Sequence, residues 1–158
     1  MDTDGTVTDL IQHYTGETIH VTKLTQDLIV ADQPSALRLS APTQLLHRRI
    51  LLSGAQQHYL YAESFFVIER MSDYLRHELL ESQVPIGVLW QREKLETFRE
   101  ILAREQETNE ELGQYFADLA KPEFWSRRYL VYHGGAPLGL ICEKFPVEYF
   151  REWKTDRG

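Results

Sequence analysis

The clearest pattern in the chain lies near its end, where two apolar runs flank a glycine pair. Phe124 to His133 and Ala136 to Phe145 are rich in Tyr, Leu, Val and Ile, with Gly134-Gly135 between them. Glycine reaches positive φ without steric cost, so the pattern predicts a hairpin turning at His133-Gly134-Gly135-Ala136. A second hairpin is predicted from Leu45–Leu52 and Gln57–Ile68, across Ser53-Gly54-Ala55-Gln56. Alternation along the first of these strands puts Leu46, Arg48, Ile50 and Leu52 on one face. Leu45, His47, Arg49 and Leu51 take the other. The even face is the more apolar, so Arg48 is expected to point inward and Arg49 towards solvent.

Thr18–Ala31 is also β-rich, and Gln33–Pro42, bounded by prolines, reads as a connection. Helical spacing recurs elsewhere. Leu10, Ile11 and Tyr14 mark a short helix over Val7–Tyr14, with Gly16 as its stop. Met71, Leu75 and Leu79 mark one over Met71–Ser82. Leu112, Phe116 and Leu119 predict a helix over Gln106–Ala120, with glutamates near its start, where the helix dipole favours them. A short helix over Val147–Trp153 closes the series. Pro85 opens a short segment, Ile86–Trp90, and Leu95–Leu102 fits either strand or helix. Hairpin-linked strands with helices between them predict an α+β fold, an antiparallel sheet with helices packed mainly on one side.

Length and charge narrow the picture. At 158 residues the chain is most simply one domain, 1–158, large enough to bury a core. Its 24 Asp+Glu against 17 Lys+Arg give a formal net charge of −7, which repels phosphate backbones and argues against nucleic acid as a partner. A small anionic ligand stays open, since a pocket needs only one or two arginines. Cys142 is the single cysteine, no run has transmembrane length, and the N-terminus lacks the regions of a signal peptide. A cytoplasmic protein without a membrane partner is the expectation. Nothing in the pattern specifies an oligomeric state.

The common chemical motifs are absent: no Walker A loop, GxGxxG, CxxC, HExxH or GxSxG. The six histidines are scattered without ligand spacing, so neither a metal nor a cofactor is expected. Cys142 lacks the basic neighbours that activate a thiolate and reads as a small core side chain. Tyr59, Tyr61, Phe65 and Phe66 read as a packed sheet face. What remains is Arg48, Arg127, Arg128 and Glu143, each near an apolar strand. Glu143 is the oddest, a carboxylate ending the run Leu138-Gly139-Leu140-Ile141-Cys142. Burying it costs several kcal/mol, to order of magnitude, unless a partner compensates. Two readings stay open: surface charges with one structural ion pair, or a pocket in which arginine grips a ligand carboxylate and Glu143 works on a nearby hydroxyl or C–H.

At these residues the sequence resembles the chorismate lyase superfamily, most closely its short prokaryotic branch. Four blocks carry the likeness in the family's order. They are DGTVTDLIQHYTGETIHVTKLTQ at 4–26, LHRRILLSGAQQHYLYAES at 46–64, VPIGVLW at 84–90 followed by ETFREI at 96–101, and RRYLVYHGGAPLGLICEKFP at 127–146. The resemblance implies a sheet of about six strands with an internal ligand site, and a reaction in which chorismate loses pyruvate to leave 4-hydroxybenzoate. It implies that Arg48 binds the ring carboxylate and that Glu143 stands near the ring hydroxyl. It further implies that Ile86 and Gly87, in the Pro-Ile-Gly block, meet the ligand through backbone, and that Val7 is an apolar flap residue. The well-studied members carry a second arginine on the strand after the hairpin, where Glu63 aligns in this chain. Arg127 or Arg128 is then expected to take the second carboxylate. The resemblance leaves two other functions to weigh. One is a lyase acting on a related chorismate-derived enolpyruvyl ether. The other is a non-catalytic domain binding a small aromatic acid, like the effector domains of GntR-type regulators, which would follow a DNA-binding winged helix, whereas this chain begins at the sheet domain itself.

Overall fold

A computed structural model describes residues 7–86, 88–89 and 98–156. Its centre is a six-stranded antiparallel sheet in the order β1-β2-β3-β6-β5-β4. The strands are β1 (His20–Ala31), β2 (Thr43–Ser53), β3 (His58–Val67), β4 (Phe98–Thr108), β5 (Glu123–His133) and β6 (Ala136–Pro146). The helices are α1 (Val7–Thr15), α2 (Asp73–Glu81), the single turn α3 (Glu110–Gly113) and α4 (Val147–Asp156). Two three-stranded meanders, β1-β2-β3 and β4-β5-β6, meet where β6 pairs with β3. The α+β expectation holds.

Local chemistry explains the boundaries. Gly16, at φ +71°, ends α1 by donating to the Gln12 carbonyl at 2.9 Å, a left-handed helix stop. The β5–β6 turn uses Gly134 at φ +62° and Gly135 at φ +81°, the pair of left-handed residues that a two-residue hairpin needs. Ser72 caps α2 by accepting from the Leu75 amide at 3.0 Å.

Successive sheet residues point to opposite faces, so the register sorts them. Leu46, Ile50, Leu52, Leu60, Ala62, Phe66, Ile141 and Phe145 share one face, here the front. Against it pack Leu10 and Ile11 of α1, Leu75 and Leu79 of α2, Leu89, and Phe150 of α4. The back face is covered by irregular chain: Leu37 sits on Leu45, Val67, Leu130 and Leu140, while Leu112 and Phe116 sit on Leu51, Tyr61 and Phe124. No helix among the described residues is long and apolar enough to cross a membrane.

One expectation fails. Gln106–Ala120 is not a helix: Gln106, Glu107 and Thr108 finish β4, pairing with Trp125, Phe124 and Glu123. Asn109 then accepts from the Leu112 amide at 3.0 Å and starts one helical turn, which ends at Gly113. Of the glutamates near the expected helix start, Glu107 lies instead on the edge strand and meets Lys144 at 2.6 Å, while Glu110 and Glu111 stand in the first turn of α3. Leu112 and Phe116 are buried as the expected helix would bury them, Leu112 by the single turn of α3 and Phe116 by the turns that follow it. The ambiguous Leu95–Leu102 is strand from Phe98; its first three residues lie outside the described residues.

Gly139 sets a close approach in the front layer. A Cβ there would lie 2.5 Å from Phe66 Cδ1 and 3.1 Å from the Phe65 carbonyl. Phe66 is fully buried, so making room for that Cβ means shifting a packed ring. Gly139→Ala is therefore expected to destabilise the fold by about 1–3 kcal/mol through overpacking. Urea denaturation checks this, and an unchanged midpoint would show that Phe66 can move aside.

Candidate active site

The front layer holds a partly open cavity of about 60 Å³, several times the ~10–15 Å³ that one water needs. Its floor is sheet: Val21 of β1, Arg48, Ile50 and Leu52 of β2, Leu60, Ala62, Ser64 and Phe66 of β3, Ile141 of β6. Thr8 of α1, with Pro85 and Ile86, forms the opposite wall. The lining is apolar except for Arg48, Thr8 and Ser64.

Arg48 is the anomaly. It is only 3% exposed, and its Nε has no hydrogen-bond partner. No carboxylate among the described residues pairs with it. Burial pulls its pKa down from the ordinary arginine value to about 10, with no acid among the described residues pushing back. Arg49, next in sequence, points to the back face, where its Nε donates to the Tyr61 hydroxyl at 2.8 Å. The hydrophobic pattern assigned these two arginines to opposite faces, and so does the register.

Glu143 lies on the same face as Arg48. It pairs with Ala62 across β3, as Arg48 pairs with Ser64. Two strand spacings and one residue row separate them, roughly 12 Å between Cα atoms on regular sheet geometry. Glu143 is 7% exposed and held by side chains of β5. Arg127 donates to its Oε1 from Nε at 3.0 Å and from a terminal nitrogen at 2.5 Å, and the Tyr129 hydroxyl donates to Oε2 at 3.2 Å. Arg127 is itself held between the Tyr129 and Phe145 rings, 5.1 Å and 5.5 Å from their centroids. Burial and the neighbouring Glu143 charge both push the Tyr129 hydroxyl pKa up, so it stays a donor. A carboxylate has about four acceptor positions; three are taken here, which leaves one on Oε2.

The remaining candidates divide by strand parity. Ile86 lines the cavity. Arg127 reaches the front face but is committed to Glu143. Arg128 and Glu63 stand on the back face, in the row Arg49, Glu63, Cys142, Arg128. Glu63 accepts from or donates to no group of the cavity; it pairs with His47 at 2.7 Å. Both residues therefore face away from the cavity that Arg48 lines, and Glu63 does not reverse a charge there. Cys142 shares that back face, half-buried, with its thiol pKa pushed up by desolvation. The Val7 side chain and Gly87 lie outside the described residues. No cluster of three or more His, Cys, Asp or Glu among the described residues could hold a metal.

Sequence reasoning missed Tyr129, Ser64 and Thr8. Parity marks the first two: Tyr129 is two residues from Arg127 on one strand face, and Ser64 is the register partner of Arg48. Nothing in the pattern marks Thr8, which is buried by the packing of α1 on the sheet.

Comparison with known proteins follows the same line. A chorismate pyruvate-lyase from Mycobacterium leprae (strain TN) is 28% identical over 160 residues, spanning 95% of this chain and 73% of the relative. One from Mycobacterium tuberculosis (strain ATCC 25618 / H37Rv) is 28% identical over 118 residues, 69% of this chain and 56% of the relative. Solved structures share the architecture at low identity. The effector domain of PhnF from Mycobacterium smegmatis matches with a TM-score of 0.68 at 10% identity, covering 91% of this chain and 90% of that one. A GntR-family transcriptional regulator from Bacillus cereus matches at 0.63 and 10%, covering 84% and 94%. These structures speak to the fold alone. A family model described as chorismate pyruvate-lyase Rv2949c-like matches residues 1–154, nearly the whole chain, and the protein belongs to that family.

Proposed function

We propose that the chain is a carbon–oxygen lyase that eliminates pyruvate from chorismate to leave 4-hydroxybenzoate. The observation that carries this reading is Arg48: a buried guanidinium with no counter-charge among the described residues, on the floor of an apolar cavity. Such a charge is costly unless an anion arrives to pair with it. A benzoate-like ring with one carboxylate on Arg48 fits a wall of Ile50, Ala62, Phe66 and Ile141. The contact is worth roughly 1.5–3 kcal/mol, enough to orient a small ring.

The chemistry asks little more. The C–O bond to the enolpyruvyl group breaks, and the neighbouring carbon, which carries the hydroxyl, loses its hydrogen. The electron pair of that C–H bond completes the aromatic ring, and the departing enolate takes a proton and becomes pyruvate. The protein binds the substrate, excludes water and assists proton movement. Glu143, fixed by Arg127 and Tyr129, has one acceptor position left for the ring hydroxyl, and orients the carbon that is to lose its hydrogen.

The effector-domain architecture favours a second reading, a module that binds a small aromatic acid without turnover. Incubation of the purified protein with chorismate, with products separated by mass, tests both. The lyase reading expects 4-hydroxybenzoate. A different aromatic acid, released only from another enolpyruvyl ether, would move the assignment to a related lyase. Tight binding of 4-hydroxybenzoate with no turnover of any such ether would overturn it in favour of the binding module.

A further inference from the structure

The chorismate reading needs a second cation, because its substrate carries two carboxylates, and Arg127 is already committed to Glu143. A further cation of the front layer, beside residues that line the cavity, is on β1. Lys23 is opposite Ile50, and Gln26 opposite Arg48, because the register shifts by one residue between Lys23 and Thr25. The bulge places Lys23 and Gln26 on one face, though they are three residues apart. Val21 and Ile50, the neighbours of Lys23 along β1 and across β2, both line the cavity. Lys23 and Arg48 are roughly 8 Å apart at Cα on regular sheet spacing.

Both β1 side chains are held by one acceptor. The Leu80 carbonyl, in the last turn of α2, accepts from Lys23 Nζ at 2.9 Å and from Gln26 Nε2 at 3.2 Å. Gln26 Oε1 is buried without a partner, as is Arg48 Nε on the adjacent strand. The place therefore offers a charged donor, an unmatched donor and an unmatched acceptor, side by side. Burial and the Arg48 charge lower the Lys23 pKa, and the exposed Glu81 only partly opposes them. The two cations repel, and an anion between them relieves that repulsion.

We propose that Lys23 is the second cationic contact of this site, taking the side-chain carboxylate of a dicarboxylate whose ring carboxylate is on Arg48. This deepens the lyase reading and rests on it for the ligand class. The competing role for Lys23 is purely structural, tying β1 to the end of α2.

The test compares two unreactive probes by calorimetric titration: 4-hydroxybenzoate, with one carboxylate, and a benzoate carrying a carboxyvinyl ether at the meta position, with two. Wild-type protein is expected to prefer the dicarboxylate. Lys23→Met should weaken the dicarboxylate roughly tenfold or more while changing 4-hydroxybenzoate less than about twofold, and Lys23→Arg should restore most of the preference. Equal weakening of both probes, or no change in either, would overturn the proposal and leave Lys23 structural. The lyase reading fails separately. Absence of chorismate turnover with this discrimination intact removes the reaction and keeps the second cation; turnover without discrimination does the reverse.

Discussion

Arg48→Met is expected to weaken 4-hydroxybenzoate binding by roughly 10- to 100-fold and, at the same time, to raise the stability of the free protein by about 1–3 kcal/mol. The two effects have one origin. A buried guanidinium with no counter-charge among the described residues penalises the folded state, and methionine fills similar volume without that penalty. The sign with pH is specific. Folding lowers the Arg48 pKa from the ordinary arginine value to about 10, so between the two the unfolded chain binds more protons than the folded one. Stability then rises with pH across that window, and the penalty is full below it. The stability difference between Arg48→Met and wild type should thus be the same at about pH 7 and pH 9, and narrow only above about pH 10. Denaturant titrations at those pH values, with and without ligand, check it. A less stable variant that still binds would show that Arg48 is a structural charge.

Glu143→Ala is expected to act in the opposite direction on stability. It leaves the Arg127 guanidinium, which is largely buried, without the carboxylate that balances it, at a cost of about 3–5 kcal/mol. Tyr129 also loses its acceptor. Turnover of chorismate should fall by about 100-fold or more if Glu143 orients the ring hydroxyl. Glu143→Gln separates the roles, since the amide oxygen still accepts from Tyr129 or Arg127 but has no charge. A Gln variant that folds and binds 4-hydroxybenzoate but turns over slowly supports the oriented-hydroxyl role. A Gln variant with full turnover would reduce Glu143 to a structural partner of Arg127.

Much of this site was legible because antiparallel strands keep strict parity. The alternation around Arg48 and Arg49 assigned their faces, and the glycine pair located the hairpin that brings Glu143 to β5. Parity also separates Arg127 from Arg128, and Glu63 from Ser64, once the strands are in register. Family alignment alone had put Glu63 beside the ligand, whereas the register turns it to His47 on the other face. Other features were not legible in principle. The bulge at Leu24 breaks parity within β1, so no alternation rule places Lys23 and Gln26 together. The strand ending at Thr108 has a composition that favours helix, and its ten paired positions along β5 override that local preference. The partners of Glu143 depend on which neighbour faces it across β5–β6, a tertiary fact.

The cavity over Arg48 is expected to turn chorismate over. The most direct measurement is the stoichiometry of products under catalytic conditions, with substrate in large excess over protein. One pyruvate and one 4-hydroxybenzoate are expected for each chorismate consumed, over many turnovers, with the rate collapsing in Arg48→Met. Release of pyruvate no faster than chorismate decays without protein would contradict it.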